Sequence, residues 1–171
     1  MPKKIAAKIF LVTLILLSFV ACHKLDSATD PDREGLDTEN LDKDPSAAVV
    51  VLYLPNTTAD GFVLKNAVTD GAAEHIIALL VREQALPEGC ALKSFHSDAK
   101  SGVADMNGAF GQAIRQQGTA GEYLLLGSVV NTLLTFFQLD AVTLTIDGEV
   151  LESGHDVYDF PLCFFDDQIS K

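Results

Sequence analysis

Four histidines and three cysteines are the side chains of widest chemical range in this sequence of 171 residues. His23, His75, His96 and His155 are scattered, and no HExxH or CxxC-type spacing groups them into a ligand set, so no metal site is expected. Ser153-Gly154-His155-Asp156 holds the residue types of a hydrolase triad. Triads are made by positions that converge in space, however, and neighbours along the chain rarely achieve this, so the run reads as a polar turn. Gly127-Ser128 lacks the flanking glycines and the strand-to-helix turn of a nucleophile elbow. Cys90 and His96 have the composition of a thiolate pair, but they fall along or just before one strand, where such contact is awkward. Asp166-Asp167 reads as a solvated acidic end. With no glycine-rich phosphate loop in the chain, no cofactor is expected and no catalytic residue is assigned.

Cys22 is different, because of what precedes it. Lys3, Lys4 and Lys8 form a basic start, Ile9 to Ala21 are apolar except for Thr13 and Ser18, and small Ala21 stands before the cysteine. That is the pattern of a secretory signal peptide over residues 1–21. Its thirteen-residue apolar run would span roughly 20 Å as a helix, against about 30 Å of bilayer hydrocarbon. Phe19-Val20-Ala21-Cys22 resembles the lipobox of bacterial lipoproteins, with Phe19 where leucine is usual. That resemblance implies acyl chains on the Cys22 sulfur, palmitate among them, and removal of the peptide before it. The alternative is an ordinary signal peptide cut near Ala21, with an incidental cysteine. Two or three acyl chains would hold the protein to a membrane stably, whereas one is marginal.

If Cys22 is lipidated, Cys90 and Cys163 remain as an even pair in a compartment that permits disulfides. A bridge closing so long a loop would contribute up to about 4 kcal/mol. The alternative is two thiols packed as small hydrophobes.

The leader carries three of the 12 basic residues and none of the 24 acidic ones, so the remainder holds 9 against 24, a net of −15 with neutral histidines. Such a balance argues against nucleic acid, which is bound through clustered Lys and Arg, and against electrostatic attachment to anionic lipid. After Cys22, residues 23–48 contain eight acids, three bases, two prolines and few large apolar side chains. They cannot bury enough surface to order themselves, so 22–48 is expected to be an acidic tether. As a coil it would reach roughly 25–30 Å.

Residues 49–168 are long enough for one domain with its own core. Val49 to Leu54 is an apolar, β-rich run ended by Pro55-Asn56, hence a buried strand. Asp70 can cap a helix whose Ala73, Ile76, Ile77 and Leu80 share one face, ended by Pro87 and Gly89. Leu92–Ser97 and Val103–Asn107 read as a hairpin around Asp98 to Gly102. Thr119 and Glu122 have the spacing of a capping box, opening a second helix to Gln138. Its Leu126, Val129, Val130, Leu133, Leu134 and Phe137 form one arc, while Ser128, Asn131, Thr132, Thr135 and Gln138 lie opposite, wet or against a neighbour. Ala141 to Ile146 alternates at period two into Asp147-Gly148, a strand and a turn. Phe160, Phe164 and Phe165 cluster around Pro161 and are expected to pack back on the sheet, or, if exposed, to mark a contact surface. The expected fold is α+β, a single β-α-β-β-α-β domain with two helices packed on one face of a mixed sheet.

The ordered set VVVLYLPNTTADGFVL, a helix ending in LP, LKSFHSDAKSGVADMN followed by Phe110, GSVVNTLLTF, VTLTIDGEVLE and GHDVYDFPL resembles the GerM-type sporulation and spore germination domain, GerMN, over about residues 49–163. The resemblance implies a non-catalytic module on an exported, often lipidated, envelope protein, similar in architecture to ring-building motifs. Neither sporulation nor oligomerisation follows from it automatically. Two functions are therefore expected to compete. The first is a module lipid-anchored outside the cytoplasm, facing the periplasm or extracytoplasmic space, that contacts an envelope protein or the cell wall. The second is a small peptidoglycan hydrolase using the Ser153–Asp156 turn.

Overall fold

The computed structural model describes residues 47–166. The leader, Cys22, the tether up to residue 46 and Asp167 lie outside the described residues.

The chain opens with β1 (Ala48–Pro55), whose Val50 and Leu52 are completely buried, and turns back as β2 (Phe62–Thr69). The two pair antiparallel without a register shift from Ala48↔Thr69 to Pro55↔Phe62. Their turn is closed by Asn56 N–H donating to the Gly61 carbonyl at 2.9 Å and by the Asn56 side-chain amide donating to Asp60 at 2.7 Å. Helix α1 (Ala73–Arg82) buries Ala73, Ile76, Ile77 and Leu80, the face expected from their spacing. Asp70 stands just before the helix: its Oδ1 accepts the Ala72 N–H at 3.0 Å, and its Oδ2 pairs with His75 Nδ1 at 2.7 Å.

The hairpin β3 (Leu92–Ser97) and β4 (Ser101–Met106) turns on Asp98, whose Oδ1 accepts the N–H groups of Lys100 and Ser101. Two helices follow, α2 (Gly108–Arg115) and α3 (Thr119–Phe137). Strand β5 (Ala141–Ile146) lies parallel to β4 and folds over Asp147-Gly148 into β6 (Glu149–Glu152). Both turn residues have positive φ, +53° and +84°, as a two-residue type I′ hairpin requires. A short β7 (Val157–Tyr158) pairs antiparallel with β6.

The α+β class stands, with three corrections. The strands form two sheets, an antiparallel β1–β2 ribbon and the mixed five-stranded β3-β4-β5-β6-β7. There are three helices: α2 seats completely buried Phe110 and Ile114 in the core and is capped by Asn107, whose side chain accepts the Phe110 N–H at 3.2 Å. Helix α3 begins without a capping box. Its N-cap is Gly118, no side chain caps it, and Glu122 turns into the fold instead.

Helix α3 touches both β1 and β5 and so joins the two sheets. Among the described residues it alone is long and apolar enough to cross a membrane by length and composition, yet twelve of its residues are buried inside the fold. It is the core helix of this domain, and burial on all sides explains its hydrophobicity.

Candidate functional site

The polar side of α3 is where the fold departs most from its sequence pattern. Ser128, Asn131 and Thr132 are fully buried; β1 lies across Thr132 and the C-terminal residues across Asn131, while the Ser128 hydroxyl has no hydrogen-bond partner among the described residues. Thr132 Oγ1 accepts the Tyr53 N–H at 3.1 Å. The Asn131 amide donates to the Phe165 carbonyl at 2.9 Å, and its oxygen accepts the Phe165 N–H at 2.8 Å. One side chain thus satisfies both backbone groups of a crossing residue, as a neighbouring strand would. The neighbour foreseen for this face is the chain itself.

Aromatic rings complete the crossing. Tyr53 meets Phe62 and Phe164 edge-on, with centroids 6.3 and 5.4 Å apart. Tyr123 stacks on Phe62 and meets Phe165 edge-on, and its hydroxyl donates to the Asp166 carbonyl. The rings approach the helix closely at Gly127, where a Cβ would overlap the Phe62 ring and lie 3.2 Å from the Phe165 Cβ. Leu162 exchanges backbone hydrogen bonds with Val142 and so ties the tail to β5. Of the expected aromatic cluster, Phe164 and Phe165 join this site, while Phe160 lies against Tyr158.

Of the side chains singled out for chemistry, Ser153, His75 and Cys90 are used structurally. Ser153 Oγ accepts the backbone N–H groups of His155 and Asp156 at 3.0 and 2.9 Å, so the backbone of His155, not its imidazole, reaches the serine. Ser153 to Asp156 is a hydroxyl-braced turn between β6 and β7. His96 is exposed on β3, and His75 is held by Asp70. Among the described residues no group of three or more His, Cys, Asp or Glu side chains is placed to hold a metal ion.

Cys90 and Cys163 are free thiols, the second of the two readings left open for them. Cys90 precedes β3 at the end of the sheet occupied by Met106 and Ile146, whereas Cys163 follows Leu162, which bridges Val142. Val142 and Ile146 alone are about 13 Å apart along β5, and a disulfide needs Cα atoms within about 7 Å. Cys90 belongs to the core and burial pushes its thiol pKa up; Cys163 is exposed. Maleimide is therefore expected to alkylate Cys163 in the folded protein and Cys90 only after denaturation. Intact-mass spectrometry before and after adding guanidinium checks this, and equal early labelling of both would contradict the placement.

The arrangement defines a small α+β domain whose polar side chains lock a helix, a ribbon and a tail together, with apolar surface left on the ribbon and tail. The chain belongs to the Germane family, described as sporulation and spore germination, whose profile matches residues 51–152. Among solved structures, it resembles the first GerMN domain of the sporulation protein GerM from Bacillus subtilis, at 19% identity and a TM-score of 0.52 over 70% of this chain and 99% of that one. The tandem GerMN domains of the same protein match at 20% identity and a TM-score of 0.50, over 69% of this chain and 46% of that one. At these identities the likeness shows the fold. No curated protein matches the sequence.

Proposed function

We propose that this protein is a cell-envelope component held to a membrane by acyl chains on Cys22, and that its Germane domain works by contact without catalysing a reaction. The acidic segment 22–47, one residue shorter than its sequence bound because Ala48 already belongs to β1, spaces the domain from the bilayer, and another envelope protein or the cell wall is what the domain contacts. In a spore-forming bacterium the process served would be sporulation or germination. The observation that carries the reading is the basic, apolar leader ending in Phe19-Val20-Ala21-Cys22, joined to a domain whose Ser153, His75 and Asp70 are engaged in turns and helix starts. Cells fed a clickable fatty acid are expected to label the wild type. Cys22→Ser is expected to lose the label and leave the membrane fraction, and equal labelling of both forms would reject the anchor.

A further inference from the structure

The β1–β2 ribbon exposes apolar side chains on one face. In the register of the ribbon, Val49 stands opposite Val68 and Tyr53 opposite Leu64, with Asn66 between them on β2. Val49, Leu64 and Val68 are 50%, 63% and 53% exposed, and half-exposed Phe164 continues the patch over Tyr53. Among the described residues no strand pairs with the outer edge of β2. The Tyr53 N–H is turned away from β2, toward Thr132. Its partner Leu64 must therefore turn its N–H and C=O outward, and Asn66 and Val68 do the same by the alternation of an antiparallel ladder. Edges of this kind are usually blunted by charge, proline or a bulge. Here the register is unbroken, the one proline on the ribbon is at the end of β1, and the one charged side chain of either strand, Lys65, is bonded to Glu83 at 2.6 Å.

We infer that the outer edge of β2 is a self-association site, pairing antiparallel with β2 of a second copy about a twofold axis at Asn66. This goes beyond the envelope reading and does not depend on the anchor. In a chain of net charge −12, two copies can approach most easily where charge is absent or neutralised, and the ribbon is such a place. The acidic segment that precedes β1 has few apolar residues to cover the patch, whereas the patch matches itself. Centring the axis on Asn66 sets Leu64 against Val68 of the other copy, twice, with the two Asn66 side chains together. Centring it on Lys65 would oppose two ammonium groups at the closest spacing of a ladder, a destabilising pair. Centring it on Ala67 would set Leu64 against Asp70. An edge of eight residues is about 26 Å long, and closing it with its flanking side chains would bury on the order of 1,000 Å2 in total, the lower bound for a specific interface. The dimer is accordingly weak and concentration-dependent.

The test uses the full chain in membranes of an expressing bacterium, with Cys163→Ser as parent so that its exposed thiol is removed. Asn66→Cys places two thiols at a facing pair about 5.5 Å apart, within disulfide range. Val49→Cys, on the far strand, would lie three strand spacings across and four residues along from its twin, roughly 19 Å away. Mild oxidation and a non-reducing gel are expected to give a dimer band for Asn66→Cys at least tenfold stronger than for Val49→Cys or the parent. Adding Leu64→Lys and Val68→Lys is expected to remove that band with the melting midpoint unchanged, since both side chains are over half exposed. Monomer alone from Asn66→Cys, equal bands from all three forms, or a band that survives the two lysine substitutions would overturn the inference.

Discussion

Gly127→Ala is expected to destabilise the domain by about 2 kcal/mol, which lowers the melting midpoint by about 8 °C for a domain of this size. The sign is informative, because alanine in the middle of a helix is ordinarily better than glycine by about 1 kcal/mol. Here the added methyl would overlap the Phe62 ring and crowd Phe165, so steric cost outweighs propensity. Phe62 must swing out, and with it goes the stacking on Tyr123 and the edge contact with Tyr53. Combining Gly127→Ala with Phe62→Ala tests the cause: the double variant should be more stable than the sum of the two single changes predicts, because the obstacle has gone. A midpoint that rises on Gly127→Ala alone would show that the ribbon does not press on this helix.

The same glycine shows how far the sequence was legible. Elements whose periodicity and burial coincide were readable from it: α1, the β3–β4 hairpin, α3 and β5 lie within a few residues of their expected bounds. Strand β2 was not, because its side chains are exposed on both faces except near its ends and at Ala67, and so no alternation of polarity marks it. Helix α2 is only two turns long and contains Gly111, where a Cβ would sit 2.9 Å from Ile146. Packing demands a residue there that lowers helix propensity. The polar stripe of α3 was visible, but not its partners, since Thr132 is bonded 79 residues away and Asn131 34 residues away. Phe160, Phe164 and Phe165 were visible as an aromatic cluster, while the crossing that assembles the candidate site was not. The Thr119–Glu122 spacing misled for a related reason: a distant tyrosine takes the carboxylate that the local motif would have used.

That tyrosine is the subject of the largest expected effect. Glu122 is only 3% exposed; one carboxylate oxygen accepts the Tyr158 hydroxyl, and the other is buried without a partner. Tyr158→Phe removes this donor and leaves a buried carboxylate less satisfied, a cost of about 3 kcal/mol, or about 12 °C in midpoint. Glu122→Gln in the Tyr158→Phe background should recover most of the loss, since a neutral amide is cheaper to bury than an unpaired charge. The pH dependence follows from the phenol. Burial first, then the hydrogen bond to Glu122 and the charges of Glu122 and Asp156, raise the Tyr158 pKa above its ordinary 10.0. A group whose pKa is higher in the folded protein binds its proton more tightly there, so its stabilisation is complete below about pH 10 and is lost as the pH rises toward the folded value. Urea titrations at pH 8 and pH 11 should therefore show the gap between wild type and Tyr158→Phe narrowing at the higher pH. A gap of constant size would mean that the Tyr158 hydroxyl does not titrate against the fold, and that Glu122 is held by something other than this bond.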